Sequence, residues 1–230
     1  MKKNILVFAP HPDDEILGCG GTIAERSSEG YEVIIVILTD GRHVFSKVLG
    51  INSDPTPEQL RQIRKEETIR AAKTLGIPRK NLLFLDFEDE TLGKYEKEAE
   101  EMILDIIKRY LPVEVYFPYI KDYNPDHQAT NRIVKRCLKE LRLTTIKFQY
   151  SIMQKYARID PLIEKLVNTF KKHIVEINIS EFLNLKEKAF KEFKSQISII
   201  SKEQKKPIIE RARAEKFLAN KEKFYVDKNN

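Results

Sequence analysis

No stretch of this 230-residue sequence stays apolar for longer than the six residues Val33 to Leu38. A membrane-spanning helix needs roughly 20, so none is expected. The apolar stretch nearest the N-terminus, Ile5 to Ala9, is cut off by Pro10-His11-Pro12-Asp13-Asp14, which reads as a strand entering a polar loop and not as a secretory signal. Cysteine is scarce. Cys19 and Cys137 make neither a disulfide framework nor a paired metal-ligand spacing, so free thiols and a cytoplasmic location are expected. Internal repeats and low-complexity segments are missing too. The first 185 residues lack any charge excess, with 28 Lys+Arg against 28 Asp+Glu, and the net charge of +6 comes entirely from Lys186 onward, 13 against 7. In that tail the signs alternate, as in Lys186-Glu187-Lys188, in the manner of solvated helix faces. Its aromatics are thin (Phe217, Phe224 and Tyr225), and no nucleic-acid motif is present, so nucleic acid is not an expected partner.

With 41% hydrophobic and 33% charged residues the chain can build one sizeable core and stay in solution. Four short apolar runs read as buried parallel strands: Ile5–Ala9, Val33–Leu38, Leu82–Leu85 and Val113–Phe117. A one-face helical pattern follows each, marked by Ile16, Leu17, Ile23 and Ala24, by Leu60, Ile63, Ala71 and Leu75, by Ala99, Ile103 and Ile107, and by Ile133, Val134, Cys137 and Leu138. The expected fold is a doubly wound, mostly parallel, Rossmann-like α/β sheet flanked by helices, with its chemistry at the carboxyl ends of the strands. Residues 1–230 are expected to form a single domain, 1–150 as its core and 151–230 as substrate-side strands and helices. In that second part, Lys147–Ile152 and Ile174–Ile179 read as strands. Pro161–Phe170, a segment from Ser180 or Glu181 to Phe193, and Ile208–Phe224 read as helices. The long loop Asp40–Pro57 has the length of a functional lid.

Two clusters carry chemistry. Pro10-His11-Pro12-Asp13-Asp14-Glu15 follows the first strand, and three carboxylates placed together repel one another unless a cation sits among them. His11 and Asp14 can both reach one ion across a tight turn; the alternative is an acidic helix N-terminus meeting its dipole. Asp122-Tyr123-Asn124-Pro125-Asp126-His127 follows the fourth strand, and His127 falls on the apolar face of its helix. Taken alone it reads as a core or capping histidine. If both clusters end strands of one sheet, two histidines and one aspartate complete a metal site with open positions.

The stretch Ala9-Pro10-His11-Pro12-Asp13-Asp14-Glu15 with Gly18, Gly20, Gly21 and Thr22 resembles the signature of the LmbE/PIG-L family of zinc-dependent N-deacetylases that act on N-acetylglucosamine-type amino sugars. The likeness continues through Thr39-Asp40-Gly41, Arg64 with Glu67, Leu75-Gly76, Phe87-Glu88-Asp89, Pro125-Asp126-His127, Lys186, Ala189 and Ser195-Gln196, and is weakest over 152–178. It implies that His11, Asp14 and His127 hold Zn²⁺, that Asp13 is the general base, and that Arg64 and Asp89 contact the sugar. Asn124 stands where the family often has a histidine thought to stabilise the oxyanion. An amide can donate there but carries no charge.

On this reading Asp13 takes a proton from water and returns it to the leaving amine, and Asp126 orients Asn124 or His127. Glu67 lies on the apolar side of its helix and calls for a cationic partner, with Arg64 one turn back. His43, in the lid loop without an evident partner, is expected to be exposed. The expected partner is an N-acetylated amino-sugar substrate. A homo-oligomer is compatible with the sequence. Three alternatives stand beside this one: a zinc amidase on another N-acyl amide such as a thiol conjugate, an Fe(II) enzyme on the same ligands, and a binder of nucleic acid or anionic surfaces through the basic tail.

Overall fold

The computed structural model describes residues 3–152 and 172–227. Its seven-stranded sheet comprises β1 (Asn4–Ala9), β2 (Glu32–Thr39), β3 (Leu82–Phe87), β4 (Glu114–Pro118), β5 (Ile146–Tyr150), β6 (Lys172–Asn178) and β7 (Lys221–Asp227), in the spatial order β3-β2-β1-β4-β5-β7-β6. The first five are parallel; β7 runs antiparallel to β5 and to β6. The doubly wound architecture expected from the sequence is therefore present. The chain steps outward from β1 through β2 to β3, then returns to the other side of β1 as β4. That reversal opens a crevice at the carboxyl ends of β1 and β4. Both chemistry-bearing clusters enter it.

Alternation along the central strands sorts the core onto two faces. Ile5, Val7, Ala9, Val33, Ile35 and Ile37 pack on one face with α1 (Asp14–Ser28) and α3 (Pro57–Thr74), and Leu6, Phe8, Ile34, Val36 and Leu38 pack on the other with α4 (Glu96–Tyr110) and α5 (Pro125–Glu140). Each strand is thus buried on both sides, which is why it reads as an unbroken apolar run. The loop between β2 and α3 carries a short helix, α2 (Val44–Leu49). Thr56 and Gln59 close a capping box at the start of α3, with Pro57 in its first turn.

The C-terminal part departs from expectation in two places. The segment expected to be helical up to Phe193 is helix only over α6 (Leu183–Phe190), and a separate one-turn helix, α7 (Lys194–Ile197), follows it. Ile208–Phe224 is not a helix: it holds the one-turn α8 (Arg211–Ala214) and then β7. Lys221 and Lys223 are exposed where Glu222 and Phe224 are buried, a period-2 pattern. Phe224 meets Tyr116 and Phe148 edge-on at ring distances of 5.4 and 5.6 Å. Strand pairing from both neighbours, invisible to local spacing, decides the conformation there. The helix expected over Pro161–Phe170 lies outside the described residues.

Glu222 also fastens α1. Its carboxylate accepts the Gly21 and Thr22 amides at 2.9 and 2.8 Å, the Thr22 hydroxyl at 2.6 Å and the Lys186 ammonium at 2.7 Å. Lys186 and Glu222 are both almost wholly buried. A Cβ on Gly18 would overlap the Tyr150 ring, and one on Gly21 the Ile179 side chain, so these glycines let α1 lie close against β5 and the C-terminal segment. Removing one member of a buried pair strands the other's charge, so Lys186→Met should cost about 3–5 kcal/mol. Urea unfolding of Lys186→Met, with Lys186→Met/Glu222→Leu recovering part of the loss, checks it. An unchanged midpoint in the single variant contradicts the pairing.

Candidate metal centre

The loop after β1 turns sharply into α1 through Asp13, whose φ of 110° puts a non-glycine residue in the left-handed region. Such a conformation costs about 1–3 kcal/mol and persists only where the surroundings hold it. Here the Asp13 carbonyl accepts the Ile16 and Leu17 amides at 3.0 and 2.9 Å, and the Asp13 amide donates to Glu15 Oε2 at 3.1 Å. Thr39 ties the loop to β2, its amide and hydroxyl both donating to the Pro10 carbonyl at 2.8 Å. The loop after β4 ends where Asn124 caps α5: its Oδ1 accepts the Asp126 amide at 2.8 Å, and Pro125 occupies the first turn.

These two loops meet at one oxygen. Asp14 Oδ2 lies 3.0 Å from His11 Nδ1 and 3.1 Å from His127 Nε2. Ligand atoms of His11, Asp14 and His127 all fall within 4.8 Å of one another. The ligand-to-ligand edge of a tetrahedral site with N and O bonds near 2.0–2.1 Å is about 3.3 Å, so the spacing matches a tetrahedral divalent cation within a few tenths of an ångström. Each imidazole also turns its second nitrogen to carboxylates. His127 Nδ1 meets Asp122 Oδ2 at 3.0 Å, and His11 Nε2 lies 3.3 Å from both Asp89 Oδ1 and Asp126 Oδ2. That is the arrangement of metal-binding histidines, one nitrogen on the ion and the other oriented by an acceptor. A second triplet, His11 with Asp89 and Asp126, is equally compact. Its carboxylates are already engaged, Asp126 by the Glu90 and Leu92 amides at 2.7 and 3.2 Å and Asp89 by the His43 amide at 3.0 Å.

The electrostatics of the crevice favour positive charge. Five carboxylates (Asp13, Asp14, Asp89, Asp122 and Asp126) surround two imidazoles and Arg64, all buried. Burial pushes His127 down, yet Asp14 and Asp122 overcome it and raise the imidazole to about 9; Asp126, Asp14 and Asp89 likewise carry His11 well above its ordinary value against burial. The two imidazoles in turn hold Asp14 well below the usual carboxylate range in spite of its burial. In effect the protons do the work of a cation. Asp13 behaves differently. Burial raises it to about 7, with Arg64 pulling it down and Asp14 pushing it up.

Seven of the eight residues singled out in the sequence line one cavity of about 150 Å³: His11, Asp13, Asp14, Arg64, Asp89, Asn124 and His127. Val44, Lys47 and Val48 of the long loop form part of its wall. The eighth, Asp126, is fully buried behind His11. Several partners differ from expectation. The Asp126 carboxylate serves His11 across the crevice and not Asn124 or His127. Glu67 does not pair with Arg64: the amide and hydroxyl of Ser195 donate to it at 2.8 and 2.6 Å, since α7 packs against α3 at that point. Arg64 faces the site, its guanidinium 3.3 Å from Asp13 Oδ2 and donating to the carbonyls of Pro12 and, at 2.9 Å, Gly41. His43 is half-buried with its Nε2 2.9 Å from Glu88. Cys19 and Cys137 are free and buried.

Asp122, to which the sequence assigns no role, stands five residues before His127, and only the curl of the loop into α5 brings the two together. It also accepts the Ile152 amide at 2.9 Å and the Ser151 hydroxyl at 2.5 Å. Losing an acceptor of this kind lowers metal affinity by about 10–100-fold. Asp122→Asn should therefore give up a bound divalent cation to a chelator at concentrations that leave the parent protein loaded. Equal chelator midpoints in the two proteins would show that Asp122 does not support the ligand.

Residues 6–138 match the PIG-L family, described as GlcNAc-PI de-N-acetylase. The diacetylchitobiose deacetylase of Thermococcus kodakarensis is 33% identical over 131 residues, which cover 55% of this chain and 45% of that one. A probable N-acetyl-alpha-D-glucosaminyl L-malate deacetylase 2 of Bacillus cereus is 33% identical over 146 residues, 61% of this chain and 63% of that one. The chain thus spans less than two thirds of the length of either relative. Among solved structures, the N,N'-diacetylchitobiose deacetylase from Pyrococcus horikoshii superposes with a TM-score of 0.63 at 24% identity, over 83% of this chain and 69% of that one, a likeness of fold. With more than half of its residues matched and both motif clusters at the switch point of the sheet, the chain belongs to the PIG-L family.

Proposed function

We propose that this chain is a zinc-dependent N-deacetylase that hydrolyses the acetamide of an N-acetylglucosamine-type amino sugar or glycoside, releasing acetate and the free amine. The observation that carries the reading is the meeting of His11 Nδ1, Asp14 Oδ2 and His127 Nε2, with Asp13 beside them in the same cavity. The two relatives described above are named deacetylases, which favours that activity over other amide hydrolyses. The two buried free thiols favour the cytoplasm. Residues 1–230 are read as one domain, with 1–150 supplying the metal-side groups and 151–230 the wall facing the rest of the substrate.

Bound zinc would polarise the acetamide carbonyl and lower the pKa of water. Everything else falls to the chain's own side chains. Asp13 is next to a ligand in sequence but turned away by its left-handed backbone, so its carboxylate accepts the water's proton while Arg64 holds it in place. Water adds to the carbonyl carbon, the C–N bond breaks, and the proton held by Asp13 passes to the departing amine. Asn124 has given its amide oxygen to the α5 cap, so its Nδ2 is the group left to donate to the oxyanion. Asp89 and Asp126 fix the ring of His11, and Asp122 that of His127. Leu17, Ile208 and Ile209 give the cavity an apolar side suited to the acetyl methyl.

Acetate release from a panel of N-acetylated amino sugars should be lost on chelation and restored by zinc. Asp13→Asn should abolish turnover, about 10²–10⁴-fold as for removal of a general acid–base group, while retaining one zinc per chain. Normal activity in that variant, or chelator-insensitive release, refutes the reading. Iron that tracks activity in zinc-free protein would favour the Fe(II) alternative.

A further inference from the structure

The catalytic cavity holds about 150 Å³, less than the roughly 300–1,000 Å³ of most small-molecule sites, so a wall has to move to admit an amino sugar. The wall built to move is α2, which presents Val44, Lys47 and Val48 to the cavity. It rests on a small apolar cluster of its own, Phe45, Ile51 and Leu60, and is fastened to the loop after β3 by His43 to Glu88 at 2.9 Å and by Lys47 to Glu90, exposed ion pairs of the kind that hold weakly. This lid leaves β2 through Gly41, buried and with a φ of 66°. Arg64, on α3 and 2% exposed, spreads its guanidinium between Gly41 and the loop that carries Asp13. One end, Nη1, donates to the Gly41 carbonyl at 2.9 Å; the other, Nη2, donates to the Pro12 carbonyl and lies 3.3 Å from Asp13 Oδ2. Nε is buried and has no hydrogen-bond partner among the described residues. Gly41 packs against that edge, where a Cβ would overlap Nη1 and Cζ and crowd Nε. A buried donor left unpaired is costly and rare. The guanidinium is placed to join two loops and not to satisfy all of its own donors.

We propose that Arg64 is a positioning residue that couples the lid to the general base. Closure of α2 over the substrate seats Gly41 against the guanidinium, and the guanidinium holds Pro12 and Asp13 where the water's proton is taken, so Asp13 is in place only when the lid is shut. The family resemblance implies a sugar contact for Arg64; in the structure both of its Nη ends are committed to the chain itself. A lysine ammonium could not serve, because it is a point charge on a flexible stem and lacks the rigid fork that reaches two carbonyls at once. The base of Arg64 is kept still by α3, which Ser195 anchors through Glu67. The coupling rests on the deacetylase reading for what Asp13 does, and stands apart from it for the link between the loops.

Two substitutions break the link from opposite sides. Arg64→Lys keeps the charge and loses the fork, and Gly41→Ala pushes the fork aside while leaving Arg64 and Asp13 in the chain. In acetate release by the zinc-loaded protein, each should lower kcat about tenfold or more with KM little changed, because a misplaced reacting group costs rate and not affinity. The double variant should be no slower than the slower single one, since both act on one link. A loss confined to KM in Arg64→Lys identifies a sugar contact and overturns the proposal; so do a parental kcat in Gly41→Ala and losses that multiply in the double variant. Amide hydrogen exchange reads the link without turnover. In Gly41→Ala, exchange should quicken about tenfold, the scale of one charge-assisted hydrogen bond, at residues 13–17 as well as at 41–50. Quickening confined to 41–50 overturns the link whether or not acetate is released, and quickening of both segments in a protein that releases no acetate upholds the link while the deacetylase reading fails. If Gly41→Ala does not fold, Arg64→Lys answers the same question: both segments quicken together, and a change in one alone overturns the proposal.

Discussion

A single carboxylate oxygen, Asp14 Oδ2, holds the two halves of the site together by lying within 3.1 Å of a nitrogen from each of two imidazoles. Those imidazoles arrive on loops that leave β1 and β4. They can meet only because the sheet reverses its winding between these two strands. The position of β4 beside β1 is therefore the constraint on which the chemistry depends. Moving either strand in the order would separate His11 from His127 by the width of a sheet.

The second constraint is burial. Asp13, Asp14, Asp89, Asp122 and Asp126 are removed from water together, an arrangement that destabilises ionised carboxylates unless positive charge compensates. Without an ion, raised imidazole affinities for protons supply that charge. A divalent cation would be held by the same nitrogens, with the outer carboxylates keeping their hold on the rings. Asp13 escapes this exchange because its left-handed backbone turns it to Arg64. Burial raises its proton affinity into the neutral range, as it does that of the neighbouring Glu15. The C-terminal segment adds the remaining support: Glu222 and Lys186 clamp α1, which carries Asp14, and Ser195 anchors α3, which carries Arg64.

What the sequence made legible was local. Ile5–Ala9 and Val33–Leu38 are unbroken apolar runs because both sheet faces are covered, and the turn after each strand follows from proline and glycine chemistry. His11, Asp14 and His127 could be named because both clusters follow strands. Long-range partners were harder. Glu67 and Arg64 share a helix face at a spacing that invites an ion pair, but Ser195 reaches Glu67 from another helix. Asp126 looked close to Asn124 and His127 along the chain, and in space it faces His11. Phe224 ended a stretch read as helical, where insertion of a strand between β5 and β6 overrides local preference. Asp122 had no local signal beyond its company, since its role depends on how the loop curls. In each case the missing information was which element packs next to which.

Anomalous X-ray scattering from a crystal of the zinc-loaded protein, collected at the zinc edge, tests the central claim most directly. One peak bonded to His11 Nδ1, Asp14 Oδ2 and His127 Nε2 is predicted, with Asp89, Asp122 and Asp126 outside the coordination sphere. A peak on the Asp89–Asp126 side of His11, or no peak in the crevice between β1 and β4, would contradict it.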